Sequence, residues 1–259
     1  MNSLLYIYKQ IRKRIFFLIF PNNFFYFSHK GYCPCCERKV VFRATDNWLR
    51  DNFICSGCGS IPRERALMMV IQKCFPDWKN LKIHESSPGN RGASLKLKKY
   101  CNQYIATQYY PDKPPGVEIG GFRNEDLEKQ TFKDESFDLV ITQDVMEHIF
   151  NPQSAFKEIA RTLKKDGAHI FTVPIVNKHG KTETWAVKGD DGNPVFLNEP
   201  EYHSNPVNPK GSPVTMHWGF DIIDFIKEKS GMDTKIEYMD NLEHGIRAEF
   251  IEVLVSFKK

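Results

Sequence analysis

Nowhere in the 259 residues is there a run of the roughly 18 apolar side chains that a membrane-crossing helix needs. Charge of one sign is scarce too. Against 36 Lys and Arg stand 32 Asp and Glu, a net +4, too little for the basic footprint of a nucleic-acid binder. Much of the excess is local, in Lys9, Arg12, Lys13 and Arg14 and again in Lys96, Lys98 and Lys99; the second group reads as the solvated face of a helix. Internal repeats and low-complexity tracts are missing. The seven cysteines are an odd number with two close pairs, which argues against a secreted disulfide framework and for a reducing, cytoplasmic setting and a metal. At 41% hydrophobic and 26% charged, the chain has the balance of a globular protein able to bury a real core.

Three regions follow one another, the last with an insertion. Residues 1–30 form an aromatic and basic arm, 31–60 a Cys-rich element, and 61–259 an alternating helix and strand body with an insertion at 176–219. In the arm, "RIFFLIFPNNFFYF" (14–27) follows basic residues and is broken by Pro21. It has no small-residue cleavage site after it, unlike a signal peptide. Two readings stay open: a segment packed on the body, or an interfacial anchor that brings residues 1–27 to the inner face of a membrane.

In the body, "SIPRERALMMVIQKCF" predicts a helix capped by Ser60 and running to about Phe75. "LKIHE", "QYIATQ", "GVEIG", "FDLVIT" and "AHIFTVPI" predict strands, and "GASLKLKKYC" and "DIIDFIKEKSG" helices. In "NPQSAFKEIARTLKKDG", Asn151 is the expected cap and Pro152 the first helical residue, with Lys164 and Lys165 in the last turn and Gly167 as the stop. "KIEYMD" and "AEFIEVLVSF" close the chain as strands. Alternation of this kind implies an α/β fold: a mostly parallel sheet with helices on both faces and ligands beyond the carboxyl ends of its strands.

Cys33-x2-Cys36, eighteen residues, then Cys55-x2-Cys58 is the spacing of a four-thiolate zinc site. With no open position, that metal is structural. Four ordinary or redox cysteines are the competing reading, and Cys35 is an extra thiol able to compete as ligand. Cys74 and Cys101 lie in helix-like stretches and read as core thiols.

"TFKDESFDLVITQDVMEHIFNPQSAFKEIARTLKKDGAHIFTVP" (131–174) resembles the class I S-adenosylmethionine-dependent methyltransferases of type 11, whose members read "SFDxV…EH…P…E…R…LKPGG". The resemblance spans roughly residues 80–175. It implies a Rossmann-like sheet with a C-terminal antiparallel strand, and S-adenosylmethionine as cofactor. Where the family has an acid and a glycine-rich turn, this chain reads "KIHESSPGN", with Ser86 and Pro88 in place of two glycines. By resemblance, Glu85 meets the cofactor's ammonium, and Ser86 and the Gly89 and Asn90 backbone line the turn. Gln108 stands where an acid takes the ribose hydroxyls. In "NEDLEKQTF", Asp126 accepts the adenine amino hydrogen and Leu127 packs on the ring. Gln143, Asp144 and Val145 line the pocket floor.

The chemistry left to such a protein is alignment of a nucleophile and removal of its proton. Candidate bases are His148 and His203, then His217 and Asp144; a loop-ordering role for the Glu-His pair is the competing reading of His148. The long insertion, with Trp185, Tyr202 and Trp218, suits a small polar acceptor such as a sugar of a surface-glycan precursor. The alternatives are a non-catalytic zinc-ribbon binding module on a degenerate fold, which the altered turn favours, and a ribosomal RNA methyltransferase, which the modest charge disfavours.

Overall fold

The computed structural model describes residues 25–205 and 207–259. Both readings of the aromatic arm fall mainly on residues 1–24 and so lie outside the described residues. Among the described residues, no helix is long and apolar enough to cross a membrane.

The Cys-rich element is a hairpin of β1 (Phe27–Cys33) and β2 (Arg38–Ala44), a one-turn helix α1 (Leu49–Asn52) and a short β3 (Ile54–Cys55) paired to β2. Helix α2 (Pro62–Cys74) follows, one residue later than its sequence signal. Its cap residue is Ile61, whose N–H donates to the Glu64 carboxylate at 3.2 Å, while Pro62 supplies the first turn. The body then alternates: β4 (Lys82–Ser86), α3 (Gly92–Tyr100), β5 (Gln103–Gln108), the edge pair β6 (Glu118–Ile119) and β7 (Phe122–Asn124), β8 (Phe137–Gln143), α4 (Pro152–Thr162) and β9 (Leu163–Thr172). The insertion folds as small antiparallel pairs drawn from β10 (Glu183–Thr184), β11 (Ala186–Lys188), β12 (Pro194–Phe196), β13 (Tyr202–His203), β14 (Ser212–Pro213) and β15 (Met216–His217). Helix α5 (Ile222–Ser230), β16 (Asp233–Glu237) and β17 (Val253–Phe257) complete the chain.

The 8-stranded sheet has the order β16-β17-β9-β8-β4-β5-β7-β6. Strands β4, β5, β7, β8 and β9 run parallel, and β17, between β9 and β16, runs antiparallel to both neighbours, the C-terminal antiparallel strand that the resemblance implies. From β4 the chain winds outward through β5 in one direction and through β8 and β9 in the other. The crevice beyond the carboxyl ends of β4 and β8 is therefore the topological switch point where such sheets bind ligands.

Alternate side chains split the core. Ile170, Val253 and Val255 face one layer, with Leu67 and Ile71 of α2 and Leu97 of α3; Phe171 and Leu254 face the other, with Phe156 and Ile159 of α4. The first layer continues without a break into Phe42 and Phe53 of the Cys-rich element. Arg65 of α2 locks that junction: fully buried, it donates to the carbonyls of Phe53, Ser60 and Gly245, and its guanidinium lies 4.6 Å from the Phe42 ring centre. The C-terminal turn at 241–246 closes over the hairpin so tightly that a Cβ on Gly31 would sit 2.1 Å from Glu243 O, and one on Gly245 2.6 Å from the Phe42 ring.

Three sequence expectations are corrected. Helix α4 stops at Thr162, and Lys164, Lys165 and Gly167 belong to β9. Leu163 already pairs with Phe137, the next pair is Leu139 with Ala168, and the residues between bulge outward with Asp166 at φ 62°. A side chain at Gly167 would collide with Asp138 O at 2.8 Å, so that glycine serves strand contact rather than helix termination. Lys96 is 4% exposed, not solvated; its ammonium donates to Pro34 O at 2.8 Å and Glu37 Oε1 at 2.6 Å, pinning α3 to the cysteine turn. Trp218 is fully buried against Phe156 and Phe225 and is not available to an acceptor.

Candidate functional site

The end of β4 forms one wall of the crevice. Glu85 is fully buried, and its Oε1 accepts from Ser94 Oγ at 2.6 Å and Gln143 Nε2 at 2.7 Å, while Oε2 accepts from Tyr104 at 2.7 Å. Burial pushes its carboxyl upward, against the pull of those three donors. The carboxylate expected to meet an ammonium is thus engaged within the protein, where it fixes the wall. Gly89 donates its N–H to Ser94 Oγ at 3.0 Å, so this donor, expected to face a ligand, is turned to the helix start. The residue in the left-handed region is Ser87, at φ 53°, with its N–H on Thr107 O at 2.8 Å. The glycine-requiring position of the turn is therefore Ser87 rather than Ser86, which is extended and 5% exposed.

The second wall comes from β5 and the segment after β7. Gln108 ends β5, buried, and its carbonyl accepts from Glu125 N at 3.2 Å. Asp126 lies half-buried beside it, with Oδ1 accepting from Glu128 N at 2.8 Å. Leu127 is 4% exposed in the core cluster with Val140 and Met146, beneath the crevice. Glu125, the residue after β7, is spent on Arg123 at 2.7 Å and Thr131 N at 2.8 Å.

At the end of β8, Asp144 takes φ 52°. Its Oδ2 meets Arg50 Nη2 at 2.7 Å and Arg63 Nε at 2.8 Å, and its Oδ1 accepts from Thr172 at 2.9 Å. Burial alone would raise this carboxyl, but Arg63 and Arg50 outweigh it and hold it far below the carboxylate range. A carboxylate so saturated is no proton acceptor, which removes Asp144 from the candidate bases. Sequence reasoning missed Arg50 and Arg63, which reach the crevice from outside the resemblance.

Just beyond, the insertion folds back on the segment after β8. Thr215 N donates to Glu147 O at 2.8 Å and Thr215 Oγ1 to Ile149 O at 2.7 Å. This brings His203 beside His148, with ring centres 5.0 Å apart and edge to face. His148 Nδ1 contacts Pro213 O at 2.8 Å; Glu201 receives His203 Nε2 at 3.2 Å and His217 Nε2 at 2.9 Å. His217 stacks on Trp185 at 3.8 Å. Burial pushes the His148 imidazole below its usual value, so it is neutral at neutral pH. Burial, then the charge of Asp144, pushes Glu147 up to about 8. Glu147 shows in the sequence only as half of the Glu-His pair, and Glu201 and the pairing across 55 residues of chain leave no local signal.

The four cysteines meet on the far side of Arg65. Sγ atoms of Cys33 and Cys58 are 3.7 Å apart, those of Cys36 and Cys55 3.9 Å, and all four lie within 4.8 Å of one another. A tetrahedron with metal–sulfur bonds of about 2.3 Å has edges of roughly 3.7–3.8 Å, whereas a disulfide needs about 2.05 Å. The donor set therefore fits a thiolate-bound metal. Cys35 lies outside this set of four, beside Cys33, with its thiol donating to Glu64 O at 3.7 Å.

Residues 91–171 match the family described as a methyltransferase domain. No curated protein matches the sequence. Among solved structures, an S-adenosylmethionine-dependent methyltransferase from Mesorhizobium loti aligns at TM-score 0.49 and 15% identity, over 75% of this chain and 98% of its own. One from Methanosarcina mazei aligns at 0.45 and 15%, over 73% and 96%. The phosphoethanolamine N-methyltransferase 2 of Haemonchus contortus, solved with S-adenosylmethionine, aligns at 0.42 and 14%, over 67% and 38%.

Proposed function

We infer that this protein, an S-adenosylmethionine-dependent methyltransferase of the class I fold, moves the methyl group onto a small polar acceptor held beneath the 176–219 insertion. One observation carries the acceptor side: His148 and His203 converge just past the end of β8, under the hairpins of the insertion. The sulfonium supplies the reactivity. The chain must bind, orient and take a proton. His148 gives its Nδ1 hydrogen to Pro213 O, so its neutral ring keeps a lone pair on Nε2, where a base needs it.

On the cofactor side, Asp126 has a carboxylate oxygen beyond the one held by Glu128 N, suited to the adenine amino group, with Gln108 near the ribose. The β4 turn offers Ser86, Ser87 and Pro88 as a close-fitting backbone, with Glu85 as its internal brace. A hydroxyl-rich acceptor such as a sugar fits the polar lining of Glu201, His203 and His217. The Cys33, Cys36, Cys55 and Cys58 cluster would hold a zinc ion, and four thiolate ligands would leave it a structural role.

The test is calorimetry of zinc-replete protein with S-adenosylmethionine and with its demethylated product. Both should bind. The rival reading, a binding module on a degenerate fold, draws on the glycine-poor turn and on the Gly89 N–H spent on Ser94. It takes over if a folded, zinc-replete sample binds neither form at millimolar concentration.

A further inference from the structure

Glu147 is 2% exposed, and neither of its carboxylate oxygens has a hydrogen-bond partner. A buried carboxyl without a partner is unfavourable, and an ionised one more so, which holds this group largely protonated until a cation meets it. What surrounds it supplies the other ligands. His148 Nε2 lies 3.8 Å from Glu147 Oε1, and His203 Nδ1 lies 3.9 Å from the same oxygen. The far nitrogen of each ring faces an acceptor: Pro213 O for His148 Nδ1, and the Glu201 carboxylate for His203 Nε2. Those far nitrogens carry the ring hydrogens. The near nitrogens then present lone pairs. These two nitrogens and a Glu147 carboxyl oxygen face one another across less than 4.8 Å.

We propose that Glu147, His148 and His203 form a second metal site, taking a divalent cation of the first transition series. The three ligand atoms all lie within 4.8 Å of one another. Bonds of about 2.0–2.2 Å set tetrahedral ligand atoms roughly 3.3–3.6 Å apart, so each ring nitrogen must close on Glu147 Oε1 by a few tenths of an ångström and the two nitrogens on each other by up to about 1.5 Å. The outer contacts to Pro213 O and Glu201 are the partners that metal-bound imidazoles use to fix tautomer and orientation. Two imidazoles with one carboxylate suit manganese, iron, cobalt or zinc better than magnesium or calcium, which prefer oxygen. Three protein ligands also leave positions open, in contrast to the closed cysteine cluster. An acceptor hydroxyl bound there would lose its proton more readily, a task that passes from the His148 Nε2 lone pair to the cation once that nitrogen is a ligand; that consequence, unlike the site itself, rests on the methyltransferase reading.

Manganese is the probe, because it is a poor competitor for thiolates and leaves zinc in the cysteine cluster. Zinc-replete full-length protein is titrated with Mn2+ without cofactor or acceptor, free ion being read by electron paramagnetic resonance and zinc by mass spectrometry. About one equivalent should bind, and Glu147→Gln and His203→Ala should each weaken it roughly tenfold or more with zinc retained. Glu147→Gln keeps the buried shape, and His203, on the insertion with its side chain 40% exposed, can be truncated without opening the core. The proposal is overturned if no Mn2+ binds up to about 1 mM, or if it binds equally in both variants. Neither result bears on cofactor binding, so the site and the methyltransferase reading fail separately.

Discussion

Arg50, on the one-turn helix of the Cys-rich element, places its Nη2 2.7 Å from Asp144 Oδ2 at the end of β8. The element is thereby wired into the crevice floor, and both groups are largely buried. Arg50→Met should cost about 3–5 kcal/mol, the usual penalty for breaking a buried pair, in chemical denaturation at neutral pH. Asp144 has a lowered pKa in the folded state, so its contribution is complete above the unfolded value near 3.9 and fades as pH falls below it. The gap between wild type and Asp144→Asn should shrink over the same range; a gap that persists into strong acid argues against the pair.

Two imidazoles inside the sheet set a second pH dependence. His84 and His169 are fully buried, hydrogen-bonded to Thr107 and Thr142, and burial pushes each down to about 3. An unfolded histidine titrates near 6.5. Above that pH their neutral burial is free of cost; below it the unfolded chain binds the protons and stability falls. Each should remove at most about 1.4 kcal/mol per pH unit between 6.5 and 3. Thermal melts of wild type and of the double variant His84→Gln, His169→Gln should differ in slope between pH 7 and 5.

Removing Cys55 should abolish metal binding and unfold the hairpin, whereas Cys35→Ser should keep both. The reason is geometric: Cys55 Sγ is 3.9 Å from Cys36 Sγ, and Cys35 Sγ is turned to Glu64 O. Elemental analysis of protein purified without added metal should find about one zinc per chain. Folded protein without metal would contradict the assignment.

Asp126→Ala should weaken S-adenosylmethionine by about 1–2 kcal/mol, or roughly tenfold, through loss of one acceptor. Glu85→Ala should act differently. It strands the donors of Ser94, Tyr104 and Gln143 in a buried place and should cost on the order of 3 kcal/mol of folding stability before any effect on ligand. Denaturation and calorimetry on both variants separate the two behaviours.

Ser87→Gly should stabilise the fold by about 0.5–1 kcal/mol, since the strain of φ 53° outweighs the added freedom of the unfolded chain. Ser87→Val should do the reverse. A melting temperature lowered by the glycine would mean that the serine side chain holds the turn.

What the sequence disclosed was what local patterns encode. The uncharged "FDLVIT" run is β8, and Asn151 accepts from Ser154 N at 3.1 Å as the cap of α4. The paired cysteines declared themselves by spacing. Contacts between distant segments were hidden. Lys96 looked solvated because its partners, Pro34 and Glu37, lie in another element. Leu163 looked helical because its strand partner Phe137 is far off in sequence. Glu147 reads in the sequence only as the loop-ordering half of the Glu-His pair, because the residue that changes its surroundings, His203, comes from the distant insertion.

The clasp of residues 241–246 over Gly31 and Phe42 also orders events during synthesis. The hairpin emerges long before Gly245, the last partner of Arg65 and the Phe42 ring, 180 residues beyond Arg65. A chain stalled after β9 has its cysteines in place but one flank of the hairpin open to water. The Cys-rich element is then made before the sheet and sealed after most of it, the reverse of the usual order in which early segments finish first.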